Sequence, residues 1–212
     1  MKNLQKLATK LLLEKREIIE RYIRRYPLFQ TTLIPFSSKT DDPFMIRKMT
    51  EAGKKMGVGP MAAVAGAIAQ EVAVSLAAYS QEMIVENGGD IYLQLKRKSC
   101  IAIHAGFSPF NKKLGIELEP SPYGVSVCTS SGTVGHSFSY GKADAAIAIS
   151  KSAYLADAAA TAMGNVIQTE EDIGKGIKMA QSTPGILGAL IIKNDKLSLW
   201  GKLKLVPIDY EQ

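Results

Sequence analysis

The stretch "GPMAAVAGAIAQEVAVSLAAYS", residues 59–80, constrains the fold more than any other: eight residues between 62 and 78 are Ala, and Gly66 lies among them. A helix of this composition is small on nearly every side. Another backbone or a ligand can approach it closely, and the stretch predicts a deeply buried helix. The segments that follow, "EMIVE", "DIYLQL", "SCIAIHA", "KLGIELE", "YGVSVC" and "AAIAIS", are short, apolar and bounded by turn residues, so they predict strands. Helices are predicted over roughly 152–164 and 171–181. Strands in runs with grouped helices favour an α+β domain, a mixed and mainly antiparallel sheet packed with helices, over a strictly alternating one.

The remaining elements complete one domain, which suits a chain of 212 residues. "DDPFMIRKMTEAGKKMG" predicts a helix with Asp42 as N-cap, Pro43 at the first position and Gly57 after the end. "RRYPLFQTTLIPF" predicts an extended connection, because Pro27 and Pro35 disfavour helix in the residue before each. A terminal hairpin is predicted in "ILGALIIKNDKLSLWGKLKL", turning at Asn194 and Asp195.

Charge is unevenly placed. The formal net charge is +6, yet residues 1–25 carry eight Lys or Arg against Glu14, Glu17 and Glu20, so +5 belongs to one segment. Leu4, Leu7, Leu11, Ile18, Tyr22 and Ile23 form an apolar stripe there, which predicts a basic amphipathic helix over 1–25 ahead of an α+β domain over 26–212. With the rest of the chain near neutral, nucleic acid is not an expected partner; the helix suits packing on the body with a solvated basic face, or an anionic partner. No stretch approaches the ~18 apolar residues of a membrane span, and charges at 14–17 break the only short Leu run, so a cytoplasmic protein is expected. Cys100 and Cys128 are both expected to be buried, reduced thiols in strands.

Four segments carry the candidate chemistry. "GVGPMA", 57–62, follows a predicted helix rather than a strand, so it is not a dinucleotide fingerprint; it either turns the chain or lets helix amides meet an anion. "ENGGDI", 86–91, is a hairpin turn in which Asn87, Gly88, Gly89 and Asp90 can also present polar groups and bare backbone to a planar ligand. "TSSGTVGHSFSYGKADA", 129–145, is rich in Ser, Thr and Gly and is pinned at both ends by predicted strands. In "ADAAATAMGN", 156–165, Asp157 and Thr161 lie four apart on one helical face, either as oxygens for a hard cation such as Mg²⁺ or as groups bonding locally to backbone.

These segments, with "GAIAQ" at 66–70, resemble in kind and order the motifs of the ApbE superfamily, best known for FAD-dependent flavin transferases. "ENGGDI" resembles its Gly-Gly-Asp-Ile turn, "TSSG" its Thr-Ser-Gly loop, and "ADAAAT" its Ala-Asp-Ala-x-Ala-Thr helix. "GPMAAVAGAIAQ", "SSGTVGHSFSYGKADA" and "LADAAATAMGN" are similar to an uncharacterised branch of that superfamily over nearly the whole chain after residue 20.

The resemblance implies a single ApbE-like domain in which Asp157 and Thr161 ligate Mg²⁺ with a backbone oxygen near Gly66 or Ala67. It implies that Gly88, Gly89 and Asp90, with Asn87 beside them, line the pocket for FAD or another nucleotide. Thr129, Ser130, Ser131, Gly132, Thr133, His136 and Ser137 would face the isoalloxazine or diphosphate, with His136 where the transferases keep a catalytic His. The implied activity is FMN transfer from FAD to an acceptor protein, or diphosphate cleavage. Against that pattern, Gln70 replaces the usual Lys, and "SFSYGKAD" stands where the transferases have Asp-Pro-x-Thr-Gly. Two other readings therefore stand beside the enzyme: a non-catalytic flavin or nucleotide module, and an interaction protein built on the basic helix. A homodimer is expected from the apolar terminal hairpin and the small-residue helix.

Overall fold

The computed structural model describes residues 2–134, 139–201 and 203–209. Its centre is a six-stranded sheet in the order β1-β2-β5-β6-β7-β8, made of Met83–Asn87, Asp90–Leu95, Ser121–Ser130, Ala145–Ser150, Ile186–Lys193 and Lys196–Gly201. A three-stranded sheet, β3-β4-β9, holds Ser99–Ala102, Leu114–Leu118 and Lys204–Pro207. Every described pairing is antiparallel. The helices are α1 (Lys2–Arg25), α2 (Leu28–Thr31), α3 (Phe44–Met56), α4 (Val64–Leu76), α5 (Ala153–Asn165) and α6 (Ile173–Ser182).

Strand alternation sorts the core into two layers. Cys128, Ala146, Ala148, Ala189 and Ile191 face the helices, while Val127, Ile147, Ile149, Leu190 and Ile192 face the second sheet. The large sheet is therefore covered on both faces, which is why β6 is buried at every position. The small residues on its helix side let α5 sit close. All of α5 except Thr161 and Asn165 is buried, so it is the central helix of the layer.

Several expectations change. The small-residue segment is not one buried helix: Pro60–Ala63 forms a 3₁₀ turn, α4 starts at Val64, and residues 77–79 are exposed. Only the side of α4 holding Gly66, Ala67, Ala69, Val72 and Ala73 is buried. The connection after α1 contains the short helix α2, because fully buried Phe29 docks edge-on against Tyr22 and Phe36; the two prolines only flank it, Pro27 at its N-cap, and the residues they restrict, Tyr26 and Ile34, lie outside it. Asp42 does not cap α3. Its Oδ2 accepts the Lys39 amide at 2.7 Å and the Tyr22 hydroxyl at 2.8 Å, joining α1 to the loop, and Pro43 takes the capping position. Gly57 ends α3 in the left-handed conformation, as its place after the last apolar turn predicts. The terminal hairpin keeps its turn at 194–195, but the chain bends at Gly201 (φ 89°) and delivers β9 to the second sheet. Cys100 is exposed rather than buried, because β3 is an edge strand and Cys100 alternates onto its outer face; Cys128 is fully buried.

Helix α1 packs through buried Ile19 and Tyr22, and Lys15 reaches Glu71 of α4 at 3.3 Å. Glu71 also accepts the Tyr154 hydroxyl at 2.8 Å, so one carboxylate ties α1, α4 and α5 together. The basic face is solvated and laced by the pairs Arg16–Glu20 and Arg21–Glu17. Leu4, Leu12 and Leu13 in its first half remain exposed. No single helix among the described residues is long and apolar enough to cross a membrane.

Candidate functional site

A cleft of about 1050 Å³ opens where the two sheets meet the ends of α4 and α5. The β1–β2 turn forms one lip. Gly88 and Gly89 have φ of 66° and 99°, a pair of left-handed positions that lets Asn87 and Asp90 pair directly across a two-residue turn. Opposite it run the end of β5 and the loop beyond, and α5 supplies the floor.

Two buried carboxylates meet here. Asp157 is 7% exposed, and its Oδ2 accepts the Gly66 amide at 2.8 Å. That contact needs α4 and α5 nearly touching. A Cβ on Gly66 would lie 2.5 Å from the Ala153 carbonyl oxygen and 2.9 Å from Asp157 Cβ. The group that meets the amide at the start of α4 is thus the protein's own Asp157 carboxyl. Asp90, also 7% exposed, accepts the Thr129 amide at 3.2 Å.

Burial pushes Asp90 up to about 7, against the opposing effect of the Cys128 thiol and Thr129 amide. Burial first and the Asp90 charge second hold Asp157 well above the usual carboxylate range, although the Gly66 and Ala65 amides favour its ionised form. Burial, with the two carboxylates as the next cause, raises the Cys128 thiol as well, so it is an unreactive neutral neighbour. Among the described lining residues there is no Lys or Arg to answer this charge.

The predicted residues divide. Gly88, Gly89, Asp90, Thr129, Ser130, Ser131, Asp157 and Thr161 all line the cleft. Asn87 is instead committed to the fold, its Nδ2 donating to the Ala65 carbonyl at 3.2 Å. Ser131 Oγ accepts the Thr133 and Val134 amides at 3.1 and 2.9 Å, which shapes the loop. Thr133 turns away and donates to buried Asp144 at 2.9 Å. Gly132 binds the Ala143 carbonyl through its amide at 2.8 Å. Gly66 and Ala67 are buried in α4, with Val64 and Ala65 forming the adjoining cleft wall. His136 and Ser137 lie outside the described residues.

The "GVGPMA" segment also lines the cleft through Gly57, Val58, Gly59, Met61 and Ala62, and further lining residues fall outside the four segments. His104 follows β3 and enters from the second sheet, a placement that only tertiary structure provides. Gln30, Thr32 and Leu33 come from the segment after α1. Asn165 was findable, since it continues the four-residue spacing of Asp157 and Thr161. Trp200 is on the edge strand β8 and is not among the lining residues.

The family model described as "AbpE bacteria" matches residues 1–190. UPF0280 proteins are similar throughout: that of Methanosarcina acetivorans is 44% identical over 89% of this chain and 75% of its own length. That of Methanocaldococcus jannaschii is 41% identical over 96% of this chain and 85% of its own length. Among solved structures, the apo form of the flavinyl transferase ApbE of Pseudomonas stutzeri is 20% identical, with a TM-score of 0.47 over 69% of this chain. The chain spans half the length of that protein (50%). Flavin transferase ApbE from Vibrio cholerae is 17% identical, with a TM-score of 0.49 over 87% of this chain and 73% of that one. A family model that takes in residues 1–190, with archaeal relatives above 40% identity, places the chain in the AbpE bacteria family, an ApbE-like branch shared with the UPF0280 proteins.

Proposed function

We propose that the cleft binds FAD or a related nucleotide around Mg²⁺ and that the protein acts on its diphosphate, transferring FMN to a protein hydroxyl or splitting the diphosphate. One observation carries this reading: Asp90 and Asp157 are buried in one cleft whose described lining has no Lys or Arg. Two uncompensated carboxylates are costly in a low-dielectric site, and a hard cation relieves that cost. The donor set fits Mg²⁺, which takes few protein oxygens and completes its octahedron with water and phosphate. Asp157, whose Oδ2 is held by the Gly66 amide, and Thr161 one turn on would hold the ion, with a backbone oxygen around Gly66 or Ala67 beside them. Bound there, the metal would supply neutralisation of diphosphate charge.

The protein's own residues do the positioning. The Gly88–Gly89 turn admits the ligand against bare backbone, and Thr129, Ser130 and Ser131 offer amides and hydroxyls to the phosphates. His136 remains the assigned proton acceptor in this reading. The test is a titration with FAD, with and without Mg²⁺, in wild type and in Asp157→Ala, followed by chromatography for FMN and AMP. Saturable Mg²⁺-dependent binding lost in the variant supports the pocket, and AMP release supports an enzyme. Binding without AMP in the presence of an acceptor supports a non-catalytic module, a reading favoured by Gln70, which brings no cation to the site. Absence of any FAD binding would sink both readings.

A further inference from the structure

We infer that His104 is the cationic anchor of the cleft, an imidazole on the second-sheet wall that binds the ligand's diphosphate while Asp157 and Thr161 hold the metal. The inference rests on the nucleotide reading of the cleft and adds to it a residue outside every segment that resembles the transferase motifs. It starts from a count of charge. Asp90 and Asp157 together offset one Mg²⁺, so the metal's charge is already answered by the protein when a diphosphate arrives. Glu86, also among the lining residues, adds a further negative group. Gln70, in the place of the transferase Lys, is spent on the Ala153 amide at 2.7 Å. The ligand's own negative charge therefore needs another cation, in a cleft whose inner wall of Ile103, Ile116, Val127 and Ile147 is apolar. Among the described lining residues only His104 can carry one.

The backbone on either side of His104 is fixed. The Ile103 amide donates to the Leu114 carbonyl at 2.9 Å, and its carbonyl accepts the Lys112 amide at 2.9 Å. The Ala105 amide donates to Asn111 Oδ1 at 2.9 Å, and its carbonyl accepts the Ser108 amide at 3.0 Å. Both neighbours are also buried, so His104 is carried on an anchored stretch of chain. Its ring has no hydrogen-bond partner among the described residues, in contrast to Asn87 and Thr133, whose polar groups serve the fold. A polar side chain that the fold does not use, on a backbone that the fold holds, lowers the ordering cost of binding.

Imidazole suits phosphate here better than it suits the metal. Mg²⁺ takes oxygen ligands, whereas imidazole nitrogens go to softer ions. A protonated imidazole donates from both ring nitrogens, so it can meet two phosphate oxygens, and each contact is charge-assisted. With the metal on α5 and His104 entering from the end of β3, the diphosphate would be neutralised from two walls of the cleft instead of one.

The test measures ADP and FAD affinity at fixed Mg²⁺, by calorimetry, for wild type, His104→Ala, His104→Gln and His104→Lys, with thermal melting to verify that each variant is folded. A cationic anchor predicts that Ala and Gln each weaken both ligands about tenfold or more, and that Lys, which restores the charge, recovers most of the loss. The chain holds two histidines, so ring-proton NMR follows each of them. Inorganic pyrophosphate with Mg²⁺ should shift the His104 signals, and riboflavin, which carries no phosphate, should not. Unchanged ADP affinity in the Ala variant, a Gln variant as tight as wild type or a Lys variant as weak as Gln would each overturn the inference, as would His104 signals that pyrophosphate leaves unmoved. Wild-type protein that binds none of ADP, FAD and pyrophosphate would overturn the nucleotide reading itself, an outcome distinct from failure of His104 alone.

Discussion

Gln70 Oε1 accepts the backbone N–H of Ala153, the first residue of α5, at 2.7 Å. The position where ApbE transferases usually carry Lys is therefore spent here on capping the helix that presents Asp157 and Thr161. Loss of a cap of this kind costs about 1 kcal/mol. Gln70→Ala and Gln70→Lys should both lower thermal stability by that amount, and the Lys variant should gain no affinity for a phosphate ligand. Melting curves and an ADP titration check both halves; a tighter-binding Lys variant would return the residue to the pocket.

Gly66 sets the spacing between α4 and α5. Any side chain there meets the Ala153 carbonyl and Asp157 Cβ. Gly66→Ala should destabilise by about 1–3 kcal/mol, as overpacking does, and should weaken Mg²⁺-dependent binding because Asp157 must move. An unchanged melting temperature in denaturant-free buffer would show that the helices separate freely.

The layering was legible in the sequence where period and composition agreed. The AAIAIS strand falls at Ala145–Ser150, and the 152–164 helix at Ala153–Asn165, because alternating and small-residue patterns there are unambiguous. The cleft was legible through Asp90, Asp157 and Thr161, whose spacing on turn and helix is local. Asp42, Phe29 and Cys100 were misplaced because their partners lie across the fold: Tyr22 takes Asp42 and Phe29, and edge position exposes Cys100. Nor does anything local show that Asn87 serves the Ala65 carbonyl or that Thr133 serves Asp144. Side chains with two plausible employers are decided by tertiary geometry.

Asp157→Asn separates charge from hydrogen bonding more cleanly than Asp157→Ala, because the amide oxygen can still accept the Gly66 N–H. Replacing the buried carboxyl by an amide of the same shape should leave the ligand-free protein as stable as wild type or more so. The Mg²⁺-dependent gain in nucleotide affinity should vanish. Loss of an outer-shell group alone costs roughly 10–100-fold in metal affinity, so a direct ligand should cost at least the upper end. Calorimetry with Mg²⁺ and ADP measures it, and retained Mg²⁺ dependence would remove Asp157 from the metal.

Asp90 gives the protein a pH dependence of definite sign. Burial raises it from the ordinary 3.8 to about 7 in the folded chain. Between those values the folded state holds a proton that the unfolded state releases, so stability falls as pH rises through that window and the contribution is gone above it. The ligand-free protein should therefore lose stability on the order of a few kcal/mol from this group between pH 5 and 8. Asp157, raised in the same direction, adds to the slope. A cation favours the ionised carboxylates, so stabilisation by Mg²⁺ should grow over the same range. Denaturant midpoints of wild type and Asp90→Asn across pH 5–8 isolate the effect: the difference between them should widen with pH, with the variant the more stable. A constant difference would mean that Asp90 is ionised throughout and that a partner other than Mg²⁺ already answers its charge.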